Sequence, residues 1–174
     1  CGEVQKKLFL TRKGAKIGDS IYISGKLGLA KLGLELSISK KTKLSAIEKA
    51  SLIKFIKPKV QIELGINLRK IANSCIDISD GLLGDLNHIC EESGVGAELD
   101  KDSIPYAGSF EEALTWGDDY ELCFTVPKNK ERKLMEISKK TKIKLYKIGQ
   151  IVSGKGIKIF ENKQAISLHM KSYN

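Results

Sequence analysis

The stretch Cys75-Ile76-Asp77-Ile78-Ser79-Asp80-Gly81-Leu82 constrains this chain more than any other. Ile76 and Ile78 alternate with Asp77 and Ser79, the period-two pattern of a strand with one apolar and one polar face. Asp80-Gly81 breaks the strand, and Leu82, Leu83, Leu86, Ile89 and Cys90 follow at helical spacing. Asp80 therefore falls at or next to a helix N-cap, where unpaired backbone N–H groups favour negative charge. A strand end, a tight turn and a helix start converge on two carboxylates and one hydroxyl.

Two readings of that junction stand side by side. Ser79 and Asp80 can be ordinary capping residues. Alternatively, Asp77 and Asp80 hold a hard divalent cation such as Mg²⁺, which takes one or two carboxylates together with substrate phosphates. Capping does not call for Asp77, and a carboxylate in an apolar strand needs a partner or water.

At 174 residues the chain fits a single domain able to bury about 70% of its unfolded surface. The opening Cys1-Gly2-Glu3 reads like the interior of a longer protein. No apolar run approaches the ~20 residues of a membrane span, and no signal peptide is visible. The four cysteines, at 1, 75, 90 and 123, have no CxxC spacing. They read as thiols of a reducing cytoplasm, without disulfides or zinc. A net charge of +9 invites a nucleic-acid partner. Its source is 27 Lys and 3 Arg scattered along the chain, without the Arg forks and aromatic platforms of base and phosphate recognition. A solvated Lys-rich exterior is the simpler reading, so no nucleic acid and no membrane are expected as partners.

Hydrophobic spacing predicts a strand over 20–24, then helices over 28–36, 45–56 and 61–71, the second stopped by Pro58. A strand over 73–78 and a helix over 81–92 follow, then strands over 94–99, 120–126, 145–152 and 156–160, with an exposed helix over 128–140. Gly25-Lys26-Leu27-Gly28 has the look of a phosphate loop but lacks the G-K-[ST] ending, so it reads as a turn. His88 and His169 are isolated and read as no metal's ligands. Trp116-Gly117-Asp118-Asp119-Tyr120-Glu121-Leu122 is a second acidic stretch, a Gly turn leading into a strand. Strands interleaved with three crowded helices predict an α+β fold, a layered α/β sandwich with helices packed on a mixed sheet.

The residues carry a resemblance. Arg12-Lys13-Gly14-Ala15-Lys16-Ile17-Gly18-Asp19, the Ile21–Gly25 run, Asp77-Ile78-Ser79-Asp80-Gly81-Leu82, Gly117-Asp118-Asp119-Tyr120-Glu121-Leu122 and Lys147-Ile148-Gly149 occur in the order found in thiamine-monophosphate kinases. The chain resembles the C-terminal half of such an enzyme, a domain shared with the aminoimidazole ribonucleotide synthetase superfamily. The two acidic motifs together are far more specific than either alone.

The resemblance implies Mg²⁺- and ATP-dependent phosphorylation of thiamine monophosphate to thiamine diphosphate by a homodimeric, cytoplasmic enzyme. It assigns Asp77 and Asp80 to Mg²⁺, Ser79 and Arg12 to the nucleotide, and Asp118 and Tyr173 to the substrate. It assigns no side chain the role of general base. Asp118 stands where the family usually has Glu, one methylene longer, and Lys13 where it has Ser. The family's N-terminal half, which supplies most metal-binding carboxylates, the dimer contact and much of the ATP site, is missing, so the 174-residue chain is expected to be inactive alone. Rival readings are a sister enzyme of the selenophosphate synthetase or hydrogenase maturation type, or a non-catalytic basic binding domain.

Overall fold

The computed structural model describes residues 8–39 and 41–166. Its elements are β1 (Ser20–Ile23), α1 (Leu29–Ile38), α2 (Ala46–Ile56), α3 (Ile62–Leu68), β2 (Ser74–Asp77), α4 (Leu82–Ser93), β3 (Gly96–Asp100), α5 (Phe110–Thr115), β4 (Leu122–Val126), α6 (Glu131–Thr141), β5 (Tyr146–Val152), β6 (Gly156–Glu161) and β7 (Gln164–Ile166). The strands form a seven-stranded sheet in the order β2-β4-β1-β5-β3-β6-β7. Only β3 and β6 pair in parallel, so the sheet is mixed and the α+β expectation holds.

Alternation along β1 and β4 sorts their side chains onto two cores. Ile21, Ile23 and Cys123 pack with Leu82, Leu86, Ile89 and Cys90 of α4 on one face. Tyr22, Phe124 and Val126 meet Leu64 and Leu68 of α3 and Leu134 of α6 on the other. Tyr22 and Phe124 face each other in register with their rings stacked at 5.9 Å. All four residues of β1 are buried because helices cover both faces here. Each fully buried side chain of Leu, Ile or Phe size contributes about 1.5–3 kcal/mol, which makes this end of the sheet the rigid platform of the molecule.

Several local expectations shift. In α1 the leucines at 29, 32 and 36 are only half-buried, and Ala30 and Gly33 make the close contact. A Cβ on Gly33 would run into the Ser51 carbonyl of α2, so the two helices approach through small residues, which leucine spacing does not reveal. The strand expected from Tyr120 begins at Leu122, because Tyr120 has a left-handed backbone, φ 48°. Helix α5 and strand β7 were not expected. Each is short, six and three residues, below the length at which periodicity is informative.

Helix α2 starts with a capping box. The Ser45 hydroxyl accepts from the Glu48 N–H while Glu48 accepts from the Ser45 N–H at 2.8 Å. Ser45→Ala is expected to lower stability by about 1 kcal/mol, read from urea denaturation. The hydrogen bond from Lys41, then those from Ser45, hold the Glu48 carboxyl down at about 2. A depressed carboxyl stabilises the fold above its unfolded value near 4.5 and loses that contribution as pH falls towards 2. Glu48→Gln should therefore flatten the acid limb of the stability curve.

Candidate functional site

The site is built at the end of the β2–β4 ladder. Past the last residue of β2, Ile78 N–H donates to the Glu121 carbonyl at 2.7 Å, and Tyr120 N–H donates back to the Ile78 carbonyl at 2.8 Å. One step further, Asp118 N–H donates to the Ser79 carbonyl at 3.0 Å. The two acidic stretches, some forty residues apart in sequence, are thus zipped together by main chain. Gly117 makes this possible, since a Cβ there would collide with the Ser79 carbonyl oxygen.

The turn before α4 is fixed from below. Buried Asp85, in the first turn of α4, turns its Oδ2 back to accept from the Ser79 and Asp80 N–H groups at 2.9 and 3.0 Å. Burial pushes its carboxyl up, and the charges of Asp80 and Asp77 add to that against the two N–H donors. The N-cap itself is Gly81, with no side-chain cap. The capping reading of Ser79 and Asp80 is therefore set aside: Asp85 satisfies the turn, which leaves the Asp80 carboxylate exposed. Asp77 is also exposed, and neither carboxylate accepts a hydrogen bond or forms an ion pair among the described residues.

The second stretch alternates anchors and presented groups. Buried Asp119 accepts from Gly28 N–H at 2.7 Å and Ala30 N–H at 3.1 Å, at the start of α1. Those N–H groups are occupied by the chain's own carboxylate, so the glycine turn at 25–28 is not a phosphate cradle. Burial raises the Asp119 carboxyl, opposed by the two N–H donors and by Lys54. Buried Glu121 accepts from the Ser24 hydroxyl at 2.6 Å and from Gln61 Nε2 at 3.0 Å, and pairs with Lys54. A Cβ on Gly25 would strike this carboxylate. Asp118, before the first anchor, and Tyr120, between the two, are exposed and both left-handed, at φ 67° and 48°. Such conformations are uncommon for non-glycine residues and cluster at functional sites. The Tyr120 hydroxyl donates to Asp118 Oδ1 at 3.2 Å. That bond and the Asp118 charge raise the phenol above its ordinary value, with smaller contributions from burial, Asp77 and Asp80.

The expected site residues thus divide. Asp77, Ser79, Asp80 and Asp118 come together at one ladder end. Arg12 is exposed on a segment alongside β2, next to Thr11, whose carbonyl accepts from Cys75 N–H at 2.9 Å. Tyr173 lies outside the described residues. Sequence reasoning missed Asp85, Asp119, Glu121 and Lys54 as the groups that hold the site. Asp119 and Glu121 lie inside the quoted motif, but nothing local separates a buried anchor from an exposed acid. The donor set fits a hard cation shared with substrate phosphates: two exposed carboxylates, and no cluster of three candidate ligands among the described residues. It does not fit a self-contained protein cage.

Comparison places this geometry in a family. Residues 16–162 match the family described as AIR synthase related protein, C-terminal domain. The chain belongs to that family, and the fold and the paired acidic loops define its class. More particularly, it is similar to the thiamine-monophosphate kinase of Buchnera aphidicola subsp. Schizaphis graminum, with 40% identity over 99% of this chain and 57% of the relative. Among solved structures it is similar to the thiamine-monophosphate kinase of Stenotrophomonas maltophilia K279a, with TM-score 0.80 and 33% identity over 90% of this chain and 54% of that one. It is also similar to AaThiL complexed with AMPPCP and TMP, with TM-score 0.74 and 32% identity over 91% of this chain and 52% of that one. The chain spans about half the length of the curated relatives it matches.

Proposed function

We propose that this chain is the C-terminal domain of an ATP- and Mg²⁺-dependent kinase that phosphorylates thiamine monophosphate to thiamine diphosphate. The observation that carries the reading is the main-chain zipper that sets Asp77, Asp80 and Asp118 at one end of the β2–β4 ladder. Likeness to a relative bound to AMPPCP and TMP supports the choice of substrates.

In this reading Asp77 and Asp80 would hold Mg²⁺, Arg12 and Ser79 would contact the nucleotide, and Asp118 and Tyr173 would contact thiamine monophosphate. When bound, the metal supplies neutralisation of charge on the transferring phosphoryl group. The chain's own work is positioning: the end of β2 presents Asp77, the Asp85-braced turn presents Asp80, and the 118–120 turn, left-handed at Asp118 and Tyr120, presents the acceptor contacts. The acceptor phosphate is already anionic, so no side chain has to remove a proton from it. An aromatic at 173 suits the thiazolium cation through its ring face. The parent protein is read as a cytoplasmic homodimer; no helix among the described residues is long and apolar enough to cross a membrane.

The test is ATP consumption by the full-length enzyme with thiamine monophosphate against other acceptors, with and without EDTA. Mg²⁺-dependent turnover on thiamine monophosphate is expected, and none above background from the 174-residue chain alone. Tyr173→Ala should raise the thiamine-monophosphate KM by about tenfold, the loss of one cation–π contact, with ATP KM unchanged and Tyr173→Phe mild. Turnover on a different acceptor, or equal behaviour of the Ala and Phe variants, contradicts the reading.

A further inference from the structure

Lys54 lies on α2, outside both acidic motifs, yet its ammonium ends inside the second one. It pairs with Glu121 Oε1, and the two side chains are only 11% and 8% exposed. The same ammonium acts on Asp119, where its attraction opposes the cost of burial. Asp119 and Glu121 flank Tyr120, so one ammonium pairs with the buried carboxylate on one side of the presented tyrosine and attracts the buried carboxylate on the other. We infer that Lys54 is a positioning residue for the 118–121 turn, holding Asp118 and Tyr120 against the Asp77–Asp80 loop.

Left-handed backbone at a non-glycine residue costs about 1–2 kcal/mol, and Asp118 and Tyr120 both adopt it. The turn keeps that shape because Asp119 is tied into α1 and Glu121 into α2, Ser24 and Gln61. Removing one partner of a buried ion pair leaves an uncompensated charge, a far larger perturbation than removing both. Without Lys54, Glu121 gains by turning towards water, and the turn follows it. Besides its main-chain bonds to the turn, the 77–80 stretch has a brace of its own in Asp85, which does not depend on Lys54. Loss of Lys54 should therefore fall on the acceptor half of the site and spare the nucleotide half.

The activity readout rests on the kinase reading above; a second readout does not. In the full-length enzyme, Lys54→Met should raise the thiamine-monophosphate KM by about tenfold or more, with kcat and ATP KM within about twofold. The double variant Lys54→Met/Glu121→Gln should return KM most of the way, because a neutral amide retains a carbonyl for Ser24 or Gln61 without needing a cation. In the 174-residue chain, Trp116 is the only tryptophan and adjoins Gly117. Its emission should shift in Lys54→Met and return in the double variant. Should Lys54→Met fail to fold, the double variant is decisive: wild-type KM and emission support the inference, and a raised KM or shifted emission overturns it. Equal loss towards both substrates, unchanged emission in Lys54→Met, or a double variant no better than the single one also overturns it. A wild-type enzyme that ignores thiamine monophosphate rejects the kinase reading alone, and Trp116 emission then decides on Lys54.

Discussion

On the proposed kinase reading, Asp80→Asn in the full-length enzyme is expected to lower turnover by about a hundredfold or more while leaving the unfolding midpoint nearly unchanged, the effect of losing a charge-bearing metal ligand. The reason is local. The Asp80 carboxylate is exposed and holds nothing in the fold, while the turn that presents it is bonded through the Asp80 N–H to Asp85. Asn keeps that N–H and the volume of the side chain but removes the negative charge that a hard cation selects. Raising Mg²⁺ should recover part of the loss, since weakened affinity is offset by mass action. Asp77→Asn should act in the same direction. Near-wild-type turnover at saturating Mg²⁺, or a loss matched by a fall in stability, would remove Asp80 from the metal site.

Asp119 should behave in the opposite manner, costing stability first. Its oxygens each accept one buried N–H from the start of α1. Asp119→Ala strands both donors, and at about 1–3 kcal/mol for each unsatisfied buried group the expected loss is about 2–6 kcal/mol. Asp119→Asn keeps one acceptor and removes a buried charge, so it should cost much less. The two variants also differ in pH dependence. A carboxyl whose folded pKa is raised, here by burial, helps the fold most when protonated. That help is present below the unfolded value near 3.8 and is lost as pH rises through the folded value. Asn does not titrate, so the gap between wild type and Asp119→Asn should narrow as pH rises from about 4. Urea denaturation at several pH values reads this directly. A loss below about 0.5 kcal/mol for Asp119→Ala, the range of ordinary surface substitutions, would mean that Asp119 does not anchor α1.

The contrast between these aspartates marks where local reading stops. Asp118 and Asp119 are adjacent and chemically identical, yet one is exposed and the other buried. Tyr120 looked like the first residue of a strand because Tyr120, Leu122, Phe124 and Val126 alternate with smaller or polar residues. Instead, main-chain bonds to Ile78 and Ser79 together with the buried anchors Asp119 and Glu121 hold a left-handed turn there. Lys54 was one of 27 lysines, and nothing within α2 sets it apart.

The strand–turn–helix at 74–93, the mixed α+β class and the identity of the acids at the junction were legible in the amino-acid order alone. Period-two and period-3.6 patterns, helix-breaking glycine and carboxylate chemistry are local properties, readable without knowing the fold. It takes the folded chain to show that the two acidic stretches zip together, that Asp85 braces the first, and that Lys54, Asp119 and Glu121 brace the second. Those facts depend on burial, which raises the cost of an unpartnered carboxylate and so fixes which charges must pair. Burial is a property of residues brought together from distant parts of the chain, and no single stretch of sequence contains it.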